Sequence, residues 1–356
     1  MALALAEAVK GLGRTHPNPA VGAVLVKNGR VIATGYHARF GAPHAEAVAL
    51  AKAGKAAKGA TLYSTLEPCN HHGRTPPCSE AIIAAGVRKV VYASSDPNPL
   101  VNGKGVRRLR SAGIEIQPHV LRLAADAFNQ PFLKAMRTGL PWVTSKAAIS
   151  LDGKLATAAG VSKWISSEAS RTVAHQLRDL VDVVVVGAET VLQDDPQLTV
   201  RLPGKRKTRN PIRLVIDPTL RNRTTAKIFD TKEARTIVAT LAPLTSPRAQ
   251  KLVSQGVEIW TFKGSIKLNA LLRRLVGEGA LHVLVEGGAK VHQRFLEKGL
   301  VDELVLFVAP KLFGHGGLTW SGMLKARTPE DAVQFDELDA VRVGPDLMVT
   351  ARRKVR

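Results

Sequence analysis

The stretch Thr65–Cys78, TLEPCNHHGRTPPC, holds both cysteines of a 356-residue chain. It lies between an apolar run, ATLYSTL, and an alanine-rich segment, CSEAIIAAG, that ends on Gly86. The first has the β-branched and aromatic content of a strand, and the second reads as a helix with a glycine C-cap. Outward from this turn the pattern repeats. HAEAVALAKA upstream is a helix and KVVYAS downstream a strand. AVGAVLVKNGRVIATGYH is a hairpin with Asn28-Gly29 at its turn. Strands and helices alternating over short connections define one three-layer α/β unit.

The residues at the turn are metal-binding types. His44 and Glu46 open the helix after the hairpin, and Cys69 and Cys78 frame the strand-to-helix turn. One imidazole and two thiolates suit zinc, with a fourth position left for water. Pro68, Pro76 and Pro77 stiffen the loop that aims the thiols. The order H-x-E…P-C…C is that of zinc deaminases, where a zinc-activated water attacks an amino-bearing ring carbon and the glutamate moves protons. The usual cysteine spacing there is C-x-x-C, whereas eight residues intervene here. His71 or His72 is available as the fourth ligand of a closed structural site, a reading that would leave Glu46 without a task.

A break falls near Thr138-Gly139-Leu140-Pro141, so we expect one domain over 1–140 and another over 141–356. Beyond it WVTSKAAISLDGK opens a second series. VDVVVVGA, PIRLVID, RTIVAT, VEIWTF, LHVLVEGG and ELVLFVAP are strand-like, several of them apolar throughout, as strands covered on both faces are. EASRTVAHQLRDL and AKVHQRFLEKGL are helical, and the basic tract LPGKRKTRNP (202–211) reads as a solvated loop. VLVEGGAKV sets two glycines between strand and helix, where backbone amides meet phosphate, but it is not the G-x-G-x-x-G fingerprint.

The net charge of +22 is divided almost evenly between the two parts and favours anionic partners. No apolar run is long enough to cross a bilayer, and the charges of MALALAEAVKGLGR follow its apolar part, unlike a signal peptide. We therefore expect a cytoplasmic protein, in which two cysteines serve a metal rather than a disulfide.

HPNPAVGAVLV, GYH, PHAEAVAL, TLEPCNHHGRTPPC and DPNPLVNGKG, in that order, resemble the bifunctional deaminase-reductase of riboflavin biosynthesis. The resemblance continues through SLDG, SKWISS, TVLQDDPQLTVR, VEGGAKV and VDELVLFVAPKLFG, and so covers essentially the whole chain. It implies a cytidine-deaminase-like three-layer α/β/α domain followed by a dihydrofolate-reductase-like α/β domain. The implied substrate is a phosphorylated pyrimidine, a diaminopyrimidinone ribosyl 5′-phosphate, and the implied cofactors are Zn2+ and NADPH. By the same resemblance Asn18, His37, His71, Arg74, Asp96 and Asn98 bind the deaminase substrate. Lys146, Asp194 and Glu286 are implied in reduction, with Ser162, Arg178, Leu198 and Arg201 lining the substrate site beside Glu286. Ala148, Trp164, Thr190, Asp194 and the segment Gly288, Ala289, Lys290, Val291, His292, Gln293 and Arg294 would face NADPH. Pro218 stands where many members have Ser or Thr. The resemblance also implies a homo-oligomer, a dimer or tetramer.

Two other readings compete with this one. A nucleoside- or tRNA-directed deaminase, or a basic RNA-binding protein with a structural zinc, would each suit the charge. An aromatic content of 4% for base stacking, the long inter-cysteine insert and the second domain's motifs disfavour nucleic acid.

Overall fold

The computed structural model of the chain describes residues 1–72, 76–98, 101–204 and 209–353, which divide into two compact units, Met1–Leu140 and Pro141–Arg356. Arg74 and the basic run at 205–208 lie outside the described residues.

In the first unit, helix α1 (Ala2–Val9) precedes a hairpin of β1 (Gly22–Lys27) and β2 (Arg30–Tyr36). Asn28 and Gly29 have φ of 51° and 73°, the two positive values that a two-residue turn of matching twist requires. Then come α2 (Ala45–Ala53), β3 (Thr61–Leu66), α3 (Cys78–Ala84), β4 (Lys89–Ser94), α4 (Lys104–Ser111), β5 (Glu115–Gln117), α5 (Arg122–Phe128) and α6 (Gln130–Thr138). The sheet runs β2-β1-β3-β4-β5, antiparallel to β3 and parallel beyond. Gly22 lets α1 lie against β1, and Gly35, paired with Ala23 on the other face, does the same for α2, which gives the expected three layers. Leu25, Leu62 and Val90 of the sheet pack with Ala45, Ala49, Ile82 and Leu109 of the helices, all fully buried. Parallel pairing sets Leu66 level with Ser94, so the chain leaves β3 and β4 at the same edge. Cys69 and Asp96 follow at that carboxyl edge, where ligands of open α/β sheets bind.

The second unit contains β6 (Trp142–Ser150), β7 (Lys154–Ala156), α7 (Glu168–Leu180), β8 (Val183–Gly187), α8 (Ala188–Asp194), β9 (Ile212–Ile216), β10 (Thr236–Thr240), α9 (Pro247–Ser254), β11 (Glu258–Thr261), α10 (Leu268–Gly277), β12 (His282–Val285), α11 (Ala289–Glu297), β13 (Glu303–Ala309), β14 (Leu318–Thr319), β15 (Glu337–Val343) and β16 (Asp346–Arg352). Its main sheet has the order β11-β10-β9-β8-β12-β6-β13-β16-β15. The strands from β11 to β13 are parallel, and β16 and β15 add an antiparallel edge. Val183–Val186 have no exposed surface, as an interior strand with helices on both sides requires. The sheet order puts β12 between β8 and β6, with Val285 level with Val185 on one side and Ser145 on the other. The residue after β12, Glu286, donates its amide to Val185 O at 3.0 Å and so arrives beside Lys146. Among the described residues no helix is long and apolar enough to cross a membrane.

Candidate active sites

The first site forms where two helices begin. His44 is the N-cap of α2, held extended (φ −67°, ψ 158°) after Pro43, and Glu46 falls in the first helical turn. Cys78 is the first residue of α3, and its N-cap, Pro77, fixes the approach of the chain. Cys69 comes from the turn after β3, and its Sγ accepts the Cys78 amide at 3.4 Å. The three donor atoms lie within 4.8 Å of one another. His44 Nδ1 is 3.3 Å from Cys78 Sγ and 3.6 Å from Cys69 Sγ. Bonds of about 2.3 Å to sulfur and about 2.0 Å to nitrogen in a tetrahedron set N and S about 3.5 Å apart. The donor set and its spacing therefore fit zinc. Among the described residues the cluster stops at three, and neither His71 nor His72 joins it.

The hydrogen bond from Cys78, together with those from His44 and the Cys78 amide, takes Cys69 down to about 4 despite its burial. Cys78, the donor to Cys69 and itself desolvated, is pushed well up. Cys69 is thus the readier thiolate. The hydrogen bond with Cys69 raises His44 against its burial. Glu46 is buried at 4% exposure, accepting from Ser64 Oγ at 3.1 Å, with Cys78 Sγ 3.6 Å from its other oxygen. Burial raises its pKa, which favours a carboxyl that can take up a proton as well as release it.

A cavity of about 350 Å³ opens beside this cluster, lined by Asn18, His37, His71, Asp96 and Asn98 together with His44, Glu46 and Cys69. Asn18 Nδ2 and His37 Nε2 are 3.1 Å apart, and His37 Nδ1 lies 3.1 Å from Pro43 O. Asp96 accepts the Asn98 amide at 2.8 Å, yet burial takes its pKa to about 6. Phe40 and Phe132 complete the apolar wall; neither was legible from sequence, because nothing in their local pattern marks a ligand.

The second site lies at the carboxyl ends of β8 and β12 and along β6, around a cavity of about 750 Å³. Glu286 is its buried centre: Arg178 donates Nε to Oε1 at 2.5 Å and Nη2 to Oε2 at 2.7 Å. Lys146 Nζ is 4.0 Å from Glu286 Oε2 and 5.6 Å from the Phe307 ring. Lys146 therefore points inward, although its apolar neighbours in β6 left either direction open. Burial alone would raise Glu286, but the charge and hydrogen bonds of Arg178, then Lys146, hold it at about 2. Burial lowers Lys146, and Glu286 opposes that shift.

Ala148, Ser162, Trp164, Thr190, Asp194, Arg201, Gly288 and His292 also line this cavity. Ser162 donates to Asp194 at 3.1 Å, and Thr190 Oγ1 accepts the Gly288 amide at 2.9 Å. The other residues named for this site are placed elsewhere. Leu198 packs in the core with Val184, Val215 and Leu284. Val291 fills the space over Gly187 and Gly287, where an added Cβ would come within 2.7 and 2.8 Å of it. Gln293 bonds Glu297 and Met323, and Arg294 bonds Ile266 O. Ala289 and Lys290 are not among the lining residues. Within the segment 288–294, only Gly288 and His292 reach the cavity, because a helix starting at 289 turns the rest away. Two lining residues that sequence reasoning missed, Arg171 and His175, precede Arg178 by seven and three positions, the spacing of one helical face.

Fold and sites together define a zinc-deaminase-type region and a reductase domain in one chain. Residues 1–94 match the family model of the cytidine and deoxycytidylate deaminase zinc-binding region, and residues 141–349 match that of the RibD C-terminal domain. The riboflavin biosynthesis protein RibD of Aquifex aeolicus is 46% identical over 353 residues, 99% of this chain and 97% of that protein. The solved structure of Acinetobacter baumannii RibD superposes with a TM-score of 0.92 at 39% identity, covering 99% of this chain and 98% of that one. A diaminohydroxyphosphoribosylaminopyrimidine deaminase/5-amino-6-(5-phosphoribosylamino)uracil reductase from Thermotoga maritima gives 0.86 at 38%, covering 99% and 97%. The chain belongs to the RibD family of bifunctional deaminase-reductases of riboflavin biosynthesis.

Proposed function

We propose that residues 1–140 deaminate 2,5-diamino-6-ribosylamino-4(3H)-pyrimidinone 5′-phosphate and that residues 141–356 then reduce the ribosyl group of the product to ribityl with NADPH. The observation that carries the reading is the cluster of His44, Cys69 and Cys78 with buried Glu46 beside it, in a chain of this family. His44, Cys69 and Cys78 would hold the zinc, whose Lewis acidity makes water acidic enough to attack at neutral pH. Glu46 takes the proton of the attacking water and delivers it to the departing ammonia; its raised pKa suits both directions of transfer. Asn18, His37, His71, Asp96 and Asn98 hold the pyrimidine, and Phe40 and Phe132 keep its face dry. Arg74, outside the described residues, is proposed as a phosphate ligand from its place in the motif.

In the second unit NADPH would supply the hydride, and the residues present fit it. The cavity is wide enough for a nicotinamide beside a substrate, and Gly288 ends it at a helix start without a side chain in the way. Lys146 sets positive charge where the ribosyl carbon accepts hydride, with Glu286 and Arg178 fixing its position. Ser162 and Asp194 hold hydroxyl groups, Arg201 offers its charge to the phosphate, and Trp164, Thr190, Gly288 and His292 face the cofactor. The family resemblance supports a dimer or tetramer, which sedimentation would settle.

The test is mass analysis of the products from purified, zinc-loaded chain and the diaminopyrimidinone ribosyl phosphate, with and without NADPH. Exchange of an amino group for oxygen, followed by gain of two hydrogens only with NADPH, is expected. Deamination without reduction would remove the second half of the proposal. No change in folded, zinc-loaded protein would remove both.

A further inference from the structure

The second cavity has one wall on which two side chains, Arg171 and His175, have no part in the roles above. Arg171, His175 and Arg178 face it from successive turns of α7, and Arg201 approaches from the segment after α8. Arg178 is committed: its Nε and Nη2 are on Glu286, and its Nη1 points to Thr199 O at 3.4 Å. Arg171 donates to Ser166 O at 2.8 Å, and its guanidinium stacks 4.5 Å over the Trp164 ring. Arg201 donates Nη1 to Thr199 Oγ1 at 2.9 Å and, at the limit of 3.5 Å, to Gln197. No hydrogen bond from its Nε or Nη2 is found among the described residues.

His175 connects to this last cation. Its Nδ1 accepts the Arg201 backbone N–H at 3.2 Å. An imidazole that accepts at Nδ1 and is neutral carries its proton on Nε2. Burial, then the charges of Arg178 and Arg201, takes His175 down to about 4 against the opposing charge of Glu286 and a contact of the ring with the Thr199 backbone carbonyl, for which a phosphate oxygen would compete; the ring is uncharged at neutral pH. The wall therefore offers an uncharged N–H donor tied through the backbone to a guanidinium with open donors. That pairing suits a phosphate monoester, whose several oxygens accept from a charged fork and a neutral donor together.

We propose that His175 is a specificity-determining residue of the reductase cavity, donating Nε2–H to a substrate phosphate held by Arg201 and so favouring phosphorylated over dephosphorylated ribosyl substrates. This inference rests on the reading of the cavity as the site of a ribosyl phosphate. Its alternative is that His175 only anchors Arg201, and two substitutions separate these. His175→Asn keeps an acceptor near the Nδ1 position and loses the distal donor, whereas His175→Gln sets an amide N–H near Nε2 and loses the anchor.

The experiment measures kcat/KM of NADPH-dependent reduction in the full chain, for the deaminated ribosylaminouracil with and without its 5′-phosphate. In the wild type the phosphorylated form is expected to be strongly preferred. His175→Asn should cut that preference by about 10-fold or more, the scale of one hydrogen bond to a charged group, while His175→Gln should retain most of it. The reverse order, with Asn tolerated and Gln not, would overturn the proposal in favour of anchoring. Equal losses on both substrates would overturn it as well. A wild type that does not distinguish the two substrates would remove the phosphate reading of the cavity itself, before any substitution is considered.

Discussion

At the scale of single residues, both sites depend on carboxylates that burial has moved in opposite directions. Glu46 has no guanidinium fork on it, and desolvation raises it despite the opposing charge of His44. Glu286 is as deeply buried, but the Arg178 fork holds it ionised at about 2. The two respond differently to substitution. Glu46→Gln preserves shape and all three metal ligands, so we expect one zinc per chain by elemental analysis and ammonia release slower by about 10²–10⁴-fold. Normal ammonia release from that variant would exclude Glu46 as the proton carrier. Arg178→Met strands Glu286 with only Lys146 at 4.0 Å. A buried carboxylate deprived of its main partner costs about 3–5 kcal/mol, to be read as a lower urea midpoint in tryptophan fluorescence together with lost reduction. Retained stability would mean that water reaches Glu286 far more freely than its 6% side-chain exposure indicates.

At the scale of elements, each site depends on how closely a helix or strand can approach its neighbour. The first turn of α4 lies on the carbonyl of Pro68, the residue before Cys69, and a Cβ at Gly105 would stand 1.8 Å from that oxygen. Gly105→Ala must therefore displace either α4 or the Cys69 loop. We expect substoichiometric zinc and lost deamination, with reduction of supplied deaminated intermediate unimpaired; full zinc occupancy would show that the loop yields without moving Cys69. This contact was not legible in the sequence, where Gly105 is one glycine in NGKG, and the reason is general. His44, Glu46, Cys69 and Cys78 could be read because each chemical type is rare and their order is a motif. Lys146 and Glu286 meet through the register of β6 and β12, which local patterns do not encode. Nor did the hairpin of β15 and β16 stand out: β15, ELDAVRV, partly alternates, but it is exposed along nearly its whole length, so neither face of it is buried. The interior strands were legible because their apolar runs are unbroken. The glycine segment after β12 was legible as a turn, but not in which of its residues reach the cavity, since that depends on where α11 begins.

At the scale of the whole molecule, buried ionisable groups set how each unit responds to mild acid. In the second unit the folded-state values are depressed: burial takes His292 to about 4, burial and the neighbouring arginines take His175 to about 4, and Glu286 sits near 2. The unfolded chain then binds more protons than the folded one. The stability these groups contribute is complete above about 6.5, falls between about 6.5 and 4 as the histidines must charge, and falls again from about 4.5 towards 2 as Glu286 must protonate. In the first unit the groups pull both ways: burial raises Asp96 to about 6, so its contribution is present below about 4 and lost as pH rises through 6, whereas burial lowers His37, whose contribution is lost as pH falls. All four tryptophans, at 142, 164, 260 and 320, belong to that unit, so their fluorescence follows it alone. Urea unfolding followed by tryptophan should show a midpoint that drops steadily from pH 6.5 to 4. Amide exchange over residues 1–140 in the same samples should decline less, because Asp96 is relieved of its buried charge over the same range. Parallel loss of protection in both units would mean that general charge repulsion outweighs the buried groups named here. A tryptophan midpoint flat across that range would show that His292 and His175 are solvated in the folded protein, and with them the polar wall of the reductase cavity.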